Sequence, residues 1–190
     1  MNKLNNESYQ KIMNAAEEII IEKGVKDTSL ADIAGKAGIS KGTLYYYYSS
    51  KSDLIFDIAE RHLEKITEQI MNLVNESYRN KKTADPRKIL EMTFKELTKD
   101  STYMKLHIYL LKEAVIGSSE LKIRFVEDYK KWRGMIEDSL TKLFGGKVED
   151  AASVSQAILA AADGFKIQML LGFDDLDFDK ASWIFAKSIK

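Results

Sequence analysis

The sequence predicts an all-α protein of about nine helices, and three observations carry that reading. Its 190 residues hold one proline and ten glycines, too few breakers for a turn-rich β fold. Apolar residues recur at steps of three and four along most of the chain, the spacing of helices with one buried face. No stretch alternates apolar and polar residues in the manner of a half-buried strand.

The elements follow in order. Residues 9–23 place Ile12, Met13, Ala16, Ile19 and Ile20 on one helical face, and Gly24 closes the helix as a C-cap. Ser29, with Asp32 three residues on, resembles a capping box opening a short helix through Ile33, Ala34 and Ala37, which Gly38 ends. Ser40 is the natural N-cap of the next short helix, with Leu44 and Tyr48 on its inner face. Ser50 and Asp53 form a third start, and Leu54, Ile58, Ile66, Ile70, Leu73 and Val74 carry a long helix to about Arg79. A polar break at 80–84 precedes Asp85 and Pro86, the N-cap and first position of a fifth helix through Ile89, Leu90, Met92, Phe94 and Leu97. Residues 103–116 are apolar on nearly every face, which predicts a central, buried helix ended by Gly117. Ser118 or Ser119 caps the next, where Leu121, Phe125, Tyr129, Trp132, Ile136, Leu140 and Leu143 form the cleanest amphipathic stripe. Gly145 and Gly146 break it. Residues 148–171 are helical and rich in small side chains, and a last helix covers about 178–189.

Composition narrows the function. Without cysteine there is no disulfide framework, thiolate metal site or cysteine nucleophile. The two histidines, His62 and His107, belong to no metal spacing or nucleophile–base pair, and no Gly-rich phosphate loop occurs. This reading has no catalytic residue, no metal and no cofactor. No apolar run reaches 18 residues and the N-terminus lacks an apolar signal core, which predicts a cytoplasmic protein with no membrane partner. Bases and acids balance at 29 each, but unevenly: residues 33–52 contain Lys36, Lys41 and Lys51 and no acid. A neutral chain with such a window can still present a local anion-binding face.

That window coincides with the two short helices. A pair of capped helices separated by one glycine is what a helix-turn-helix requires, with Gly38 supplying the turn and Ala34 allowing close crossing. On the second helix Gly42 and Tyr46 oppose the inward Leu44 and Tyr48, and a base edge or phosphate can approach the bare backbone of Gly42. Ser40, Lys41 and Thr43 crowd the helix N-terminus, where free N–H groups favour phosphate, and Lys51 opens the following helix in the same way.

Across residues 12–55 the sequence resembles the tetracycline-repressor (TetR/AcrR) family of bacterial transcription regulators. The resemblance is carried by Ala15, Ala16, Gly24, Thr28, Ser29, Asp32, Ile33, Ala34, Ala37, Gly38, Ile39, Ser40, Lys41, Gly42, Thr43, Leu44, Tyr45, Tyr47, Ser50 and Lys51. It implies phosphate contacts by Ser29, Thr43, Tyr45, Tyr47 and Lys51, and base edges facing Lys41, Gly42 and Tyr46. Two positions depart from the family pattern. Tyr48 replaces the usual Phe and adds a hydroxyl that needs a partner, and Ser49 stands where relatives are often basic. Tyr47 is divided between core and phosphate.

Beyond about Phe56 the resemblance is architectural. It implies a DNA-binding domain over 1–50 and a helical effector-binding and dimerisation domain over 51–190. Ala157, Ala161 and Gly164 form a small-residue face, suited to a dimer contact or to packing within the domain. Met104, His107, Leu111, Tyr129, Trp132, Phe165 and Met169 are the candidate ligand contacts, and are equally what a helical core looks like. Asp163 reads as a ligand contact, a surface position or a satisfied structural carboxylate, and His62 as an exposed residue. The expected protein is a homodimeric, ligand-responsive repressor of a palindromic double-stranded operator, partnered by a small-molecule effector. The alternative is an architectural, nucleoid-associated DNA-binding protein of the same fold without an inducer.

Overall fold

The computed structural model describes residues 7–79, 85–144 and 148–188. The predicted breaks at 80–84 and at Gly145–Gly146, and the end of the last helix at Ile189, lie outside them. The described residues form nine α-helices and no strand: α1 (Glu7–Lys23), α2 (Leu30–Lys36), α3 (Lys41–Tyr47), α4 (Lys51–Arg79), α5 (Pro86–Thr98), α6 (Ser101–Ile116), α7 (Ser119–Leu143), α8 (Ala151–Leu170) and α9 (Phe178–Ser188).

Local chemistry sets the first four boundaries. Gly24 sits at φ +79° and its N–H donates to the Ile20 carbonyl at 2.8 Å, closing α1. Ser29 forms a full capping box with Asp32, each side chain receiving the other residue's backbone N–H. Gly38, at φ +67°, turns the chain so that the Ile39 N–H reaches the Ala34 carbonyl at 3.1 Å, the longer-range bond of a Schellman end. Ser40 then accepts from the Thr43 N–H at 3.0 Å and starts α3. The Lys51 ammonium donates to the Val25 and Thr28 carbonyls, both at 2.9 Å, and ties the start of α4 to the α1–α2 loop.

Two apolar clusters result. The first joins α1–α4 to α6 and α7: Ile12, Met13, Ile33, Leu44, Tyr48, Leu54 and Ile58 pack with Leu106, Leu110, Leu121 and Phe125. The second joins Leu90, Phe94, Leu140, Val148, Ile158 and Ala162 of the other half. Two expectations change here. α6 is central only along Met104, Leu106, His107, Leu110 and Ala114, because its C-terminal Val115 and Ile116 stand clear of the core, 78% and 76% exposed. His62 is not exposed: its ring lies flat on Tyr103, centroids 3.5 Å apart, and is half-buried.

The hydroxyl that Tyr48 adds has found its partner. It donates to Asp57 Oδ2 at 3.0 Å, while Arg124 of α7 donates to Asp57 Oδ1 at 3.1 Å and lies over the Phe56 ring. Burial, with the Asp57 charge beside it, pushes the phenol well above its ordinary range, so it remains a donor. Tyr48→Phe should therefore lower unfolding stability by about 1–3 kcal/mol, the scale of a hydrogen bond to a charged group. An unchanged denaturant midpoint would show that the bond contributes nothing.

Candidate nucleic-acid interface and effector cleft

The seven residues of α3 divide cleanly. Leu44 and the following Tyr48 are buried, while Gly42, Tyr45 and Tyr46 share the opposite face. Tyr46 is the most exposed aromatic residue here at 83%, Tyr45 is exposed, and Tyr47 leans against the core with its ring edge-on to Tyr46. Lys41 and Ser40 are exposed and Thr43 is half-buried, its hydroxyl 2.8 Å from that of Ser40. Ser29 is exposed, but its hydroxyl is engaged with Asp32. A β-carbon at Gly42 would meet only the Ser40 Oγ, at 3.7 Å, so nothing within the protein requires glycine there.

The lysines differ from their sequence reading. Lys36 pairs with Glu18 at 2.9 Å and Glu22 at 3.1 Å, acids from α1 that the acid-free window did not reveal. Lys51 is turned to backbone carbonyls and braces the module instead of extending a free ammonium. Of the three, Lys41 alone forms no ion pair or carbonyl contact among the described residues.

The second half encloses a cleft between α4, α5, α7 and α8, with an empty volume of about 1000 Å³ including its mouth. Ile66 and Ile70 of α4, Leu90 of α5, Trp132 and Ile136 of α7 and Leu159 of α8 represent its walls. Of the candidate ligand contacts, Trp132 lines this cleft, and Met104 and His107 line a smaller neighbouring cavity. Leu111, Tyr129, Phe165 and Met169 line neither. Leu111 and Tyr129 lean on the first core cluster, and Phe165 packs against Phe94 and Phe178. α4 and α5 supply much of its wall, and the α4 share includes Ile66, Ile70 and Val74 of the stripe at the sensing end of that helix.

Lys166 is the residue that the sequence reading missed. It is 5% exposed and lines both cavities. Its Nζ lies 3.2 Å from Asp163 Oδ1, which also meets His107 Nε2 at 3.2 Å, while the Tyr129 hydroxyl donates to Oδ2. Asp163 is thus a structural carboxylate. Burial alone would raise its pKa, but the His107 and Tyr129 hydrogen bonds and the Lys166 charge bring it down to about 2. Burial also lowers the pKa of His107 against the pull of Asp163, so the ring is neutral at pH 7. One sequence signal did exist: Asp163 and Lys166 are the two charges in the 20 residues of α8. No helix among the described residues is long and apolar enough to cross a membrane, and none of their acids and histidines cluster as a metal site.

Comparison with known proteins agrees with this geometry. The sequence pattern of the family described as bacterial regulatory proteins, tetR family, matches residues 12–58. Over 62 residues the chain is 50% identical to the uncharacterized HTH-type transcriptional regulator YvdT of Bacillus subtilis, covering 33% of this chain and 32% of that protein. It is 27% identical to the HTH-type transcriptional regulator TtgR of Pseudomonas putida, over 94% of this chain and 88% of that one. The fold matches the crystal structure of the Bacillus subtilis transcriptional regulator FadR in complex with stearoyl-CoA, with a TM-score of 0.65 and 22% identity. That match covers 94% of this chain and 96% of FadR.

The buried histidine makes stability depend on pH. The folded pKa of His107 lies below its ordinary value, so the unfolded chain takes up a proton first as pH falls through about 6.5, and stability drops. Between pH 7.5 and 5.5 the wild-type protein should lose about 1 kcal/mol more than His107→Gln. Parallel pH–stability curves for the two proteins would show that His107 is not held neutral.

Proposed function

We propose that this chain, which belongs to the TetR family of transcriptional regulators, is a ligand-responsive repressor acting as a homodimer on a palindromic operator. The observation that carries the reading is the continuity of the first core. The helix whose outward face holds Gly42, Tyr45 and Tyr46 rests on the same apolar cluster as α6 and α7. α4 and α7 contribute residues to that cluster and, further along, wall the cleft, which gives a displacement at the cleft a path to the face offered to DNA.

In this reading Gly42 and Tyr46 face base edges, Lys41 at the head of α3 faces a base edge and the phosphate beside it, and Ser29, Ser40, Thr43, Tyr45 and Tyr47 meet phosphates. Lys51 contributes by fixing the start of α4 against the α1–α2 loop. The domain division near residue 50 is one of role, with the shared core running across it. Dimerisation fits the exposed faces of α8 and α9. Ala157, Ala160, Ile167 and Leu171 are exposed along one side of α8, with Gly164 half-buried in the same row, and Trp183 and Ile184 are exposed on α9. Ala161, expected in that small-residue stripe, packs instead against the second core. Two-fold symmetry then sets half-site centres about 34–36 Å apart, or a multiple. FadR binds stearoyl-CoA in its crystal structure, and an apolar cleft in this chain supports an apolar effector here.

The direct test is binding of the full chain to the DNA flanking its own gene, with and without candidate effectors. One short protected palindrome, released by a ligand, supports the repressor. Protection without sequence preference supports the architectural alternative. Leu159→Trp, which fills the cleft, should leave operator affinity within about twofold and abolish release; a normal response would remove the cleft from the mechanism.

Gly42 separates fold from function. Gly42→Ala should raise helix stability by up to about 1 kcal/mol while weakening operator binding at least about tenfold. Retained affinity would mean the α3 backbone does not approach DNA closely. The lysines give a second test. Lys41→Ala should flatten the log–log salt dependence by about 2 per dimer, whereas Lys36→Ala, its ammonium held by two glutamates, should leave it unchanged. The reverse order would show that the α1 acids release Lys36 on DNA.

A further inference from the structure

We propose that the cleft between α4, α5, α7 and α8 binds an amphipathic monocarboxylate, its acid group on the Lys166 ammonium and its chain among the apolar walls. This rests on the sensor reading of the same cleft, and adds the chemical class of the effector.

Three observations lead to it. First, Lys166 is the one charged residue among those lining the cleft; Thr67, Thr93 and Ser139 are the polar remainder. Second, the ammonium is buried, and Asp163 Oδ1 is its one hydrogen-bond acceptor among the described residues. An ammonium carries three N–H donors, so two are left without a protein acceptor among the described residues, on a side chain that lines both the cleft and the smaller cavity beside it. Third, three of the roughly four acceptor positions on the Asp163 carboxylate already receive His107, Tyr129 and Lys166, so it can satisfy at most one of those two donors.

A carboxylate answers this arrangement best. It presents two oxygens to two free donors and carries the charge that makes such bonds strong where water is excluded. A neutral alcohol supplies one weaker acceptor. An organic cation meets the ammonium as a like charge, since the Asp163 carboxylate does not line the cleft. Length is bounded as well. The α4 wall runs from Leu63 to Val74, about 16 Å at the helical rise, and accommodates an extended chain of about ten carbons.

Trp132 lies in the wall and reports occupancy by its fluorescence. The test titrates the full-length protein with decanoate, 1-decanol and decyltrimethylammonium, below their micelle concentrations. Decanoate should bind at least about tenfold more tightly than either of the others. Lys166→Met should erase the preference, bringing decanoate within about threefold of decanol. Asp163→Asn keeps the ammonium and removes its competing carboxylate, so it should tighten decanoate; this variant decides the matter if Lys166→Met fails to fold. Equal binding of decanol, a preference that survives Lys166→Met, weaker decanoate binding by Asp163→Asn, or no decanoate binding at all would each overturn the proposal. Decanoate that binds with the Lys166-dependent preference yet leaves operator binding untouched would uphold the ligand class and refute the sensor reading.

Discussion

Seven residues are too few for a helix to hold itself in water, and α3 has only seven. Everything the N-terminal module offers to a partner depends on anchoring that one helix. Its anchors are the buried Leu44 and Tyr48, the Ser40 cap at one end and the Asp57 carboxylate at the other. The constraint has a consequence for function. Because α3 has no independent stability, its orientation is set by α2, against which it packs, and by the apolar cluster it shares with α1, α4, α6 and α7.

α4 is the element on which both ends act. At 29 residues it is about 43 Å long, with Lys51 bracing the α1–α2 loop at its start and Val74 in the cleft wall near its end. Asp57 and Phe56, one turn into it, are held by Arg124 and Phe125 of α7, which in turn carries Trp132 and Ile136 into the cleft. Under the proposed reading a ligand would touch α4, which holds Tyr48 through Asp57, and α7, which holds that carboxylate through Arg124. Coupling requires only that it prefer one of two packings of α4 against α7; a typical 1–3 kcal/mol preference changes DNA affinity about 5- to 150-fold.

Much of this was legible in the sequence, wherever one residue type answers one local need. The serine and aspartate caps, Gly24 and Gly38, and the split of α3 into Leu44/Tyr48 and Gly42/Tyr46 all appear as predicted, because each depends on neighbours within four residues. What was not legible depends on distant partners. Lys36 meets glutamates 14 and 18 positions back, Lys51 meets carbonyls more than 20 back, and His62 stacks on Tyr103. The ligand contacts suffered most. Aromatic and methionine side chains at helical spacing suggest a pocket, but here they fill the cores, and the cleft is walled by aliphatic stripes of α4 and α5 that look like any packed face.

A buried ion pair such as Lys166–Asp163 is a poor device for stability, since apolar residues of the same volume generally do as well or better. Its presence in an otherwise uncharged α8 fits the proposed role of Lys166 in selecting a ligand. The same economy appears at the DNA end. With Lys36 paired and Lys51 committed to carbonyls, two of the three lysines in the acid-free window are engaged within the protein, and the chain as a whole is neutral. Sequence-independent attraction, which scales with neutralised phosphates, is correspondingly small. In the proposed dimer, operator binding would then lean on the shape of the α3 face and the spacing of two copies of it. Those are the properties that the proposed shift of α4 would change, so in that reading a ligand with modest differential affinity would displace the protein without having to overcome a large electrostatic background.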